Sequence, residues 1–598
     1  MPKRNTPINY TARDFESIKN ELVQYSKRYY PETFRDFNEA SFGALMLDMV
    51  SYVGDNLSFY LDYQANESFF DTATERKNVI RHAKQMGYKF RGSPSSVGTC
   101  EFYIVVPANS SGLGPDTKYL PIMKAGSAVS STGGSSFLLS RNVNFADSTN
   151  PVVAARVNDS TGVPTSYAVK TSGDVVSGKF VVERKSVGNF QRFRRMKLNS
   201  SRVAEIVSVF DDQGHEYVEV DYLSQNVIYK EMANRGGTAS DQVTSVLKPV
   251  VVPRRFVVEQ DGTQVYLQFG YGSDSELNTD SIAEPSNLVL NMTGKEFIED
   301  SSFDPSRMLD TDKFGIAPSN TTLTISYRIN TVDNVNAAAR SVSAVTKPIV
   351  EFNDVSQLSP QVMASVIGSI ECNNPSPIVG GVSSSSLTEI RRRAIDHFAT
   401  QNRAVTATDY ESQAYSMPPQ FGSIKRCKIL KDNDSFKRNL NMYVLSQNNN
   451  GTLVTATTPL KENLKTWLGK VKMIHDTIDI LDGRIVNFGI KYAVIADPDF
   501  NKYQVLEACS RALASLYAQP RYFGEAIYIT DIYSTLNKVR GVVDTYDAEL
   551  VQKEGGVYSD TTYSFAANMS ADGRYLNVPE NVCMELKFSG ADIQGAIK

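Results

Sequence analysis

Residues 42–70 read FGALMLDMVSYVGDNLSFYLDYQANESFF, and this stretch decides the fold of the amino-terminal region. It contains no proline, so a helix is predicted from about Ser41 to Phe70, roughly 45 Å long at 1.5 Å per residue. Its large apolar side chains fall on two neighbouring stripes: Leu45, Met49, Tyr52, Phe59 and Tyr63 on one, and Met46, Val50, Val53, Leu57 and Tyr60 on the other. A helix that is apolar around so much of its circumference must be packed on several sides.

Two further helices are predicted to flank this stretch. The first has a capping-box-like start at Thr11 and Asp14 and ends before Pro31. Its apolar residues recur at coiled-coil-like spacing over two heptads: Phe15, Ile18, Leu22, Tyr25 and Tyr29. An ordinary amphipathic helix on its own core explains this one helix equally well. The other is predicted to start near Thr72, with Glu75 as its box partner, and to stop at Gly87. Residues 1–91 are therefore predicted to be a helical bundle region whose apolar surface packs against other protein chains.

Composition narrows the class of protein. A chain of 598 residues is too long for one core and suggests three to five domains. The net charge of −4 argues against nucleic acid as the main partner. Polar residues interrupt the apolar run of 42–70 too often for a membrane span: Asp48, Asp55, Asn56 and Asp62. Residues 1–9 lack the apolar core of a secretion signal, so folding in a cytoplasm is expected. The five cysteines are far apart, which fits reduced thiols and excludes zinc-ribbon patterns.

The rest of the chain is predicted to be a multidomain α+β protein. Residues 92–350 form a β-rich middle region, possibly two units, in which 137–179 is an inserted loop or a set of weak edge strands. Hairpins are predicted at the turn 212–214 and around Asp261 and Gly262. Residues 351–480 are assigned to an α+β domain. In it, Ser386 with Glu389 is predicted to open one helix, which carries Ile390, Ala394 and Phe398 on one face, and Thr406 with Asp409 is predicted to open another. Residues 481–598 are assigned to a carboxy-terminal α+β domain with a turn-rich tail after Gly555.

No catalytic, metal-binding or cofactor-binding residue is predicted. The four histidines, His82, His215, His397 and His475, lie too far apart for a metal site or a triad. The chain has no nucleophile elbow and no Walker loop, and Gly270 and Gly272 lack the third glycine of a dinucleotide fingerprint. A glycosidase pair among Glu216, Glu219 and Asp221 stays open, although solvated acids on a strand are the commoner explanation.

Two blocks of sequence resemble a known family. The first runs through YTARDFESI (10–18), FG (42–43), YVGD (52–55), DTATER (71–76) and GY (87–88), and the second comprises PIVGG (377–381), NRAVT (402–406) and DY (409–410). They resemble baseplate wedge proteins of contractile-tailed bacteriophages, the large ring-forming wedge subunit of the baseplate-J family. The blocks enclose about two thirds of the chain, whereas 137–179 and the tail after Gly555 match nothing in that pattern.

The resemblance implies a structural protein of the virion tail baseplate, assembled in the host cytoplasm, without enzyme activity or cofactor. It implies two copies in each wedge, whose amino-terminal helices bundle with each other and with a second long wedge protein. It also implies a ring of wedges around the tail tube, contacts with other baseplate and sheath-initiating proteins, and coupling of ring rearrangement to sheath contraction. Flexible junctions are expected near Arg91 and in the loop 373–386.

Residue roles follow as expectations. The partner interface of the helix bundle is assigned to Phe15, Ile18, Leu22, Leu45, Met49, Tyr52 and Phe59. Maintenance of the fold is assigned to Gly380, Gly381, Arg403, Asp409 and Tyr410, with backbone freedom for the glycines and a helix start for Asp409. Two alternatives remain, a receptor-binding tail protein and a tail-associated cell-wall hydrolase. The first would show repeated β-units, and the second needs two carboxylates that converge in a cleft.

Overall fold

The computed structural model describes residues 13–32, 38, 41–89, 94–110, 113–233, 245–261, 264–273, 314–330, 335–382, 386–432 and 439–597. Helices make up 27% of the chain and strands 36%, which confirms the predicted multidomain α+β class with amino-terminal helices, a β-rich middle and carboxy-terminal α+β elements. The chain divides into two compact units. The first comprises residues 1–90 and 385–398, and the second comprises residues 91–384 and 399–598.

The first unit is helical. Its helices are α1 (Phe15–Tyr29), α2 (Phe42–Glu67), α3 (Arg76–Gln85) and all but the last two residues of α5 (Leu387–Thr400). Asp14 caps α1 by accepting from the amide of Ser17, and Ser41 caps α2 by accepting from the amide of Ala44. Both helices thus start and stop close to the predicted residues, although the predicted partner Thr11 lies outside the described residues.

The third helix starts later than predicted. Its first residue is Arg76 instead of a residue near Thr72, and its N-cap Glu75 makes no side-chain cap. Thr74 and Glu75 instead donate their amides to the carboxylate of Glu67, at the end of α2. The carboxylate of Glu67 therefore accepts the amide hydrogen bonds at the start of α3 that a capping box was predicted to satisfy.

The apolar core of the first unit lies between α3 and α5. Val79 and Ala83 of α3 are fully buried together with Ile390 and Ala394 of α5. The predicted capping box at the start of α5 is present, because Ser386 and Glu389 exchange hydrogen bonds of 3.2 and 3.3 Å. Phe398, predicted on the buried face of this helix, is 63% exposed. The packing of α5 against α3, which lies more than 300 positions earlier in the chain, was not predicted.

The second unit begins with a seven-stranded sheet in the order β17-β3-β4-β7-β1-β19, with β6 paired to the outer part of β7. Its strands are β1 (Val97–Pro107), β3 (Ala128–Ser131), β4 (Ser136–Leu139), β6 (Val152–Val157), β7 (Pro164–Ser177), β17 (Val342–Lys347) and β19 (Glu371–Asn373). A small three-stranded sheet, β18-β2-β5, accompanies it, with β2 (Ile122–Met123), β5 (Val143–Asn144) and β18 (Val350–Glu351). Helix α4 (Pro360–Gly368) packs against β1 through Val366 in the core that these strands share.

The expectation of an inserted loop over 137–179 is corrected by this sheet. β7 is a central strand of 14 residues, and it pairs with β1 along the full length of β1. Small residues on its inner side concealed it in the sequence: a Cβ on Gly173 would lie 2.5 Å from Val143 Cγ2 and 2.8 Å from Leu139 Cδ1. Only β6 agrees with the alternative of a weak edge strand, since all six of its residues are exposed.

A second seven-stranded sheet follows in the order β8-β16-β10-β11-β14-β15-β9. Its strands are β8 (Lys179–Val187), β9 (Arg195–Lys197), β10 (Val203–Phe210), β11 (Glu216–Glu219), β14 (Arg255–Asp261), β15 (Gln264–Phe269) and β16 (Thr321–Ile329). The two end strands approach each other, because the amide of Asn199 donates to Glu183 over 3.2 Å. The sheet therefore curls into a barrel around a core that includes Leu267 and Tyr327. Both predicted hairpins are present, β10–β11 and β14–β15. A separate two-stranded ladder joins β12 (Val227–Ala233) to β13 (Ser245–Val251).

The remaining elements form two α+β layers. One sheet has β20 (Arg426–Lys431), β21 (Asn439–Gln447), β22 (Leu453–Thr455) and β23 (Thr477–Asp482), with α6 (Ala407–Tyr415) and α7 (Thr458–Gly469) in its core. The other has β24 (Arg484–Ala496), β26 (Val542–Lys553), β28 (Val582–Glu585) and β29 (Ile593–Ile597), packed on α8 (Lys502–Leu516) and α9 (Ile529–Asn537). Within the segment after Gly555 lie α10 (Phe565–Asn568), α11 (Ser589–Asp592) and β27 (Tyr575–Leu576), which pairs with the earlier strand β25 (Ile527–Tyr528). Phe565 is buried there, so part of the predicted turn-rich tail belongs to this core.

Candidate assembly interface

Helices α1 and α2 form an antiparallel hairpin within the first unit. Arg13 pairs with Asp62 over 2.8 Å, and Lys19 pairs with Asp48 over 2.7 Å. The later residue of α1 thus pairs with the earlier residue of α2, so the two helices are antiparallel. Gly54 lies between them on α2, where an added Cβ would lie 3.2 Å from Cδ1 of Ile18. The Arg13–Asp62 pair is largely exposed, so it orients the helices more than it stabilises them, whereas the Lys19–Asp48 pair is about one-third exposed.

The contact between the two helices uses the small residues of α2. Ala44 and Ser51, one heptad apart, are buried, and the hydroxyl of Ser51 donates to the carbonyl of Leu47 over 2.7 Å. Helix α1 has no buried residue, so the hairpin has little apolar core of its own. The large apolar side chains of α2 are consequently left on the other side of the helix.

Those side chains form an exposed arc. At 100° per residue the arc spans about 200° of the helix circumference. Its members are between 38% and 72% exposed: Phe42, Leu45, Met46, Met49, Val50, Tyr52, Val53, Leu57, Phe59, Tyr60, Leu61 and Tyr63. An exposed apolar surface of this extent indicates a contact with another molecule. We call these twelve residues the apolar arc.

The structure divides the predicted interface residues between two environments. Leu45, Met49, Tyr52 and Phe59 lie on the apolar arc, and Phe15 of α1 is also exposed. Ile18 and Leu22 are half-buried, and Ile18 packs on Gly54 inside the hairpin. Ile18 therefore belongs to the hairpin's own contact, whereas the arc residues are available to a partner. The interface assignment also omitted Met46, Val50, Val53, Leu57 and Tyr60, which the apolar periodicity had already placed on the second stripe.

The base of the hairpin is fixed by the buried carboxylate of Glu67. It accepts hydrogen bonds from the amide and hydroxyl of Thr74, both at 2.7 Å, and from the side-chain amide of Asn78 at 2.9 Å. Donation by Asn78 and Thr74 lowers the pKa of Glu67 from 4.5 to about 2, against the opposing effect of burial. His82 adds a contact of 3.0 Å to the carbonyl of Glu67. The junction of α2 and α3 is thus held by an anion that stays charged at neutral pH.

Helix α5 closes the same junction from the other side. Arg391 donates to the carbonyl of Phe70 over 3.0 Å and also to the carbonyl of Ala73. The ring of His397 meets that of Tyr88 edge to face, with centroids 5.8 Å apart. Burial lowers the pKa of His397, despite a hydrogen bond to the backbone of Gly87. A guanidinium that satisfies two carbonyls of a turn fixes the turn's conformation.

The glycines assigned to fold maintenance lie where a side chain would not fit. Gly380 has a φ of +125°, and a Cβ there would lie 2.9 Å from the carbonyl oxygen of Ser95. A Cβ on Gly381 would lie 2.4 Å from Cγ2 of Val335, and the amide of Gly381 donates to Asn336 over 2.9 Å. The loop 373–382 is held by such contacts, which differs from the flexible junction expected over 373–386. Residues 383–385 and the other expected junction, at Arg91, lie outside the described residues.

The DY motif anchors α6. Asp409 accepts from the amides of Thr406 and Val405 at 2.8 and 3.1 Å and completes a capping box. Partial burial raises the pKa of Asp409, but these hydrogen bonds outweigh it and lower the pKa overall. Tyr410 is buried and donates to Asp476 over 2.7 Å, and burial raises the pKa of Tyr410 to about 12. Arg403, in contrast, is exposed and donates to the side chain of Gln401 at 3.4 Å, so its contacts are those of a surface residue.

The described residues contain no group of three or more histidine, cysteine or carboxylate side chains that could hold a metal ion. All five thiols are buried, and burial raises the pKa of Cys100 and Cys583 to about 12. Glu216 and Glu219 are exposed on β11, and Glu216 faces Lys230 at 3.7 Å. Over the same described part of the chain, no helix is both long enough and apolar enough to span a membrane.

Comparison with known proteins gives one sequence match. Residues 14–85, which include the hairpin and α3, match the family described as "Bacteriophage baseplate protein, N-terminal domain". No curated protein sequence matches the chain.

Two solved assemblies show a distant likeness. A chain of the anti-feeding prophage baseplate, a cryo-EM structure, is 10% identical over 99% of this chain and 100% of its own length, with a TM-score of 0.24. A chain of the type VI secretion TssK-TssF-TssG baseplate subcomplex is 9% identical over 72% of this chain and 96% of its own length, with a TM-score of 0.26.

Proposed function

We propose that this chain is a structural subunit of a contractile-tail baseplate wedge and that the apolar arc of α2 is its main assembly surface. One observation carries the proposal: the arc lies within the segment that matches the baseplate amino-terminal domain, and it is exposed in the isolated chain. An arc of about 200° is wider than one packed helix covers, since a single core-facing stripe is about 100° wide. The hairpin therefore has room for more than one partner helix.

The partners that the family resemblance implies fit that geometry. One is the hairpin of a second copy, and another is a long helix of a different wedge protein, so that the arc ends inside a helical bundle. Further contacts with other baseplate and sheath-initiating proteins would close a ring of wedges around the tail tube. Rearrangement of that ring would accompany sheath contraction. The protein would be assembled in the host cytoplasm, reside in the virion tail baseplate and carry no enzyme activity, cofactor or nucleic acid.

The alternatives have less support. A receptor-binding tail protein would be expected to show repeated β-units. It would not require the exposed helical arc. A cell-wall hydrolase requires two carboxylates with a shared cleft, and Glu216 is instead exposed opposite Lys230. Replacing Glu216 or Glu219 by glutamine should leave every property of a structural subunit unchanged, whereas loss of cell-wall lysis would favour the hydrolase.

The test compares the full chain with a hairpin-polar variant, Leu45→Gln, Met49→Gln and Leu57→Gln. Glutamine keeps helix propensity while it removes apolar surface. The matched control replaces exposed apolar residues outside the hairpin: Leu113→Gln, Ile474→Gln and Val557→Gln. Sedimentation velocity over a concentration series should show association of the full chain and the control, and a shift to smaller species for the hairpin-polar variant. Equal association of the two variants would contradict the proposal.

A further inference from the structure

A second charged and aromatic surface lies on the barrel of the second unit. It is formed by the exposed residues of β8, β9 and the loop between them, and we call it the basic ridge: Arg184, Phe190, Arg192, Phe193, Arg195 and Lys197. The strands are adjacent there, because Lys185 of β8 donates to the carbonyl of Lys197. Among the described residues, the carboxylate of Glu259 pairs with Arg195 over 3.3 Å, and the buried carboxylate of Glu183 pairs with Lys185. Cations therefore predominate on the described part of this surface.

The aromatic part of the ridge is held in a fixed position. Phe193 adopts a φ of +52°, and its amide donates to the carbonyl of Gly270 over 2.8 Å. Its ring stacks on Tyr271 with centroids 5.8 Å apart, although 46% of the side chain remains exposed. Arg192 also lies over the Tyr271 ring, at 5.6 Å. A left-handed backbone at a bulky residue costs about 1–3 kcal/mol and persists only when its surroundings hold it. The ridge is thus a preorganised surface.

The same chain carries a surface of opposite charge on the carboxy-terminal sheet. One face of β24 and β26 packs on α8 and α9. The other face is buried at Asn487 and Gly489 but open farther along, at Lys491 and Ile495 of β24 and at Asp544, Asp547 and Glu549 of β26. The open face of β26 presents residues that we call the acidic face: Val543, Asp544, Tyr546, Asp547 and Glu549. Lys491 of β24 lies opposite Glu549 in the ladder, so three carboxylates face one cation.

Tyr546 owes its exposure to an irregularity in the ladder. Asp547 pairs with Ala493 and Thr545 pairs with Val494, which leaves Tyr546 as an extra residue on β26. Such a bulge re-aims a side chain at the edge of a sheet. Val543 is left unpaired in the same way by a second register shift, since Asp544 pairs with Ile495 and Val542 pairs with Ala496. Tyr546 and Val543 are 63% and 64% exposed beside the acidic side chains.

We propose that the basic ridge of one copy of this chain binds the acidic face of a second copy. Each named set has two exposed aromatic or apolar residues among charges that are predominantly of one sign, and the predominant signs are opposite. This pattern, an apolar centre with a complementary charged rim, is that of a protein interface. The two surfaces differ, so the contact is head to tail, and head-to-tail contacts close into rings when the rotation allows. The inference rests on the proposed role as a ring subunit and adds a contact that does not involve the hairpin.

The experiment uses the full chain with the hairpin-polar substitutions, so that the association measured does not depend on the apolar arc. The ridge reversal is Arg184→Glu with Arg192→Glu, and the face reversal is Asp544→Lys with Asp547→Lys. The control reversal, Lys118→Glu with Lys538→Glu, changes net charge as the ridge reversal does but at exposed sites elsewhere. Sedimentation velocity at low and at physiological ionic strength measures the dissociation constant. Circular dichroism and the melting temperature verify that each variant is folded.

We expect the background chain to associate at low ionic strength and less so as salt is added. Either reversal alone should weaken association about tenfold or more, because like charges then meet across the contact. The control reversal should change it little. An equimolar mixture of ridge-reversed and face-reversed chains should recover association, and so should a chain with both reversals.

Three results would overturn the inference. They are a background chain that stays monomeric at low ionic strength, a ridge reversal no more harmful than the control, and a loss that the swapped charges do not restore. None of these results bears on the hairpin, because that proposal is tested by comparing the hairpin-polar variant with the unmodified chain. Failure of either proposal is therefore distinguishable from failure of the other.

Discussion

The guanidinium of Arg391 donates to the carbonyl oxygen of Phe70, 321 positions earlier in the chain, over 3.0 Å. The contact ties α5 to the turn between α2 and α3, and the buried residues Val79, Ala83, Ile390 and Ala394 surround the same junction. The amino-terminal unit is thus completed by a helix from a distant part of the sequence. The family match to residues 14–85 does not include this helix.

Replacing Arg391 by alanine should destabilise the first unit. Hydrogen bonds from a charged donor each contribute about 1.5–3 kcal/mol, and two buried carbonyls would lose their donor. Calorimetric unfolding of the full chain measures the effect, with Val79→Ala used to identify the transition of the first unit. The matched control is Arg392→Ala, an exposed residue that lies 3.8 Å from Asp396 one turn away, and its effect should stay within about 0.5 kcal/mol. Equal effects of the two substitutions would contradict the docking of α5.

The Glu67 carboxylate should make the stability of the first unit depend on pH in the acid range. Its folded-state pKa of about 2 lies below the ordinary value of 4.5, so its contribution is complete above pH 4.5 and is lost as the pH falls toward 2. Glu67→Gln should remove this part of the acid sensitivity and lower stability at neutral pH. The measurement is the unfolding transition of the first unit between pH 2 and 7 for both chains. Identical pH profiles would refute this role of Glu67.

Gly381 should not tolerate a side chain. Gly381→Ala would place a methyl group 2.4 Å from Val335 and 2.9 Å from the Asn336 side-chain oxygen. Overpacking of this kind costs about 1–3 kcal/mol. Gly368→Ala is the control, because no atom lies within 4 Å of its Cβ position, at the end of α4. The control should be neutral or slightly stabilising in denaturant unfolding, and comparable losses for both variants would be inconsistent with the packing of the loop.

Tyr410→Phe should destabilise the domain around α6 without altering its shape. The substitution removes the hydroxyl that donates to Asp476 and accepts from the amide of Met473 at 3.3 Å. A hydrogen bond to a charged group contributes about 1.5–3 kcal/mol, which sets the expected loss. Chemical denaturation measures it, with Tyr503→Phe as a control at a tyrosine that is 84% exposed. A loss no larger than that of the control would count against the anchoring role.

Local signals in the sequence were sufficient to predict most helices. Caps and breakers gave the bounds of α1 and α2, and the capping boxes at Ser386 and Thr406 gave the starts of α5 and α6. These signals act over three or four residues, so they can be read without knowing the fold. The exposed arc also follows from periodicity, because the apolar residues outnumber those that a single partner helix can cover.

Long-range packing could not be predicted in the same way. The docking of Ile390 on α3 depends on residues more than 300 positions away, and a helical period does not say which element covers its apolar face. The central position of β7 was missed because Thr171, Gly173 and Ser177 occupy its inner side, where space is limited by neighbours such as Val143. The half-buried position of Ile18 depends on the glycine opposite, which only the hairpin brings into contact with it.

The central claim is that the apolar arc becomes buried when the chain assembles. The native thiols are all buried, so a single cysteine placed by Met49→Cys on the full chain can be labelled selectively with a maleimide. Glu16→Cys, on the exposed side of α1, serves as the reference. We expect labelling at position 49 to slow as rising protein concentration increases the mass measured by light scattering, while labelling at position 16 stays constant. Equal labelling rates at the two positions throughout the rise in mass, or a monomer at every concentration, would contradict the account.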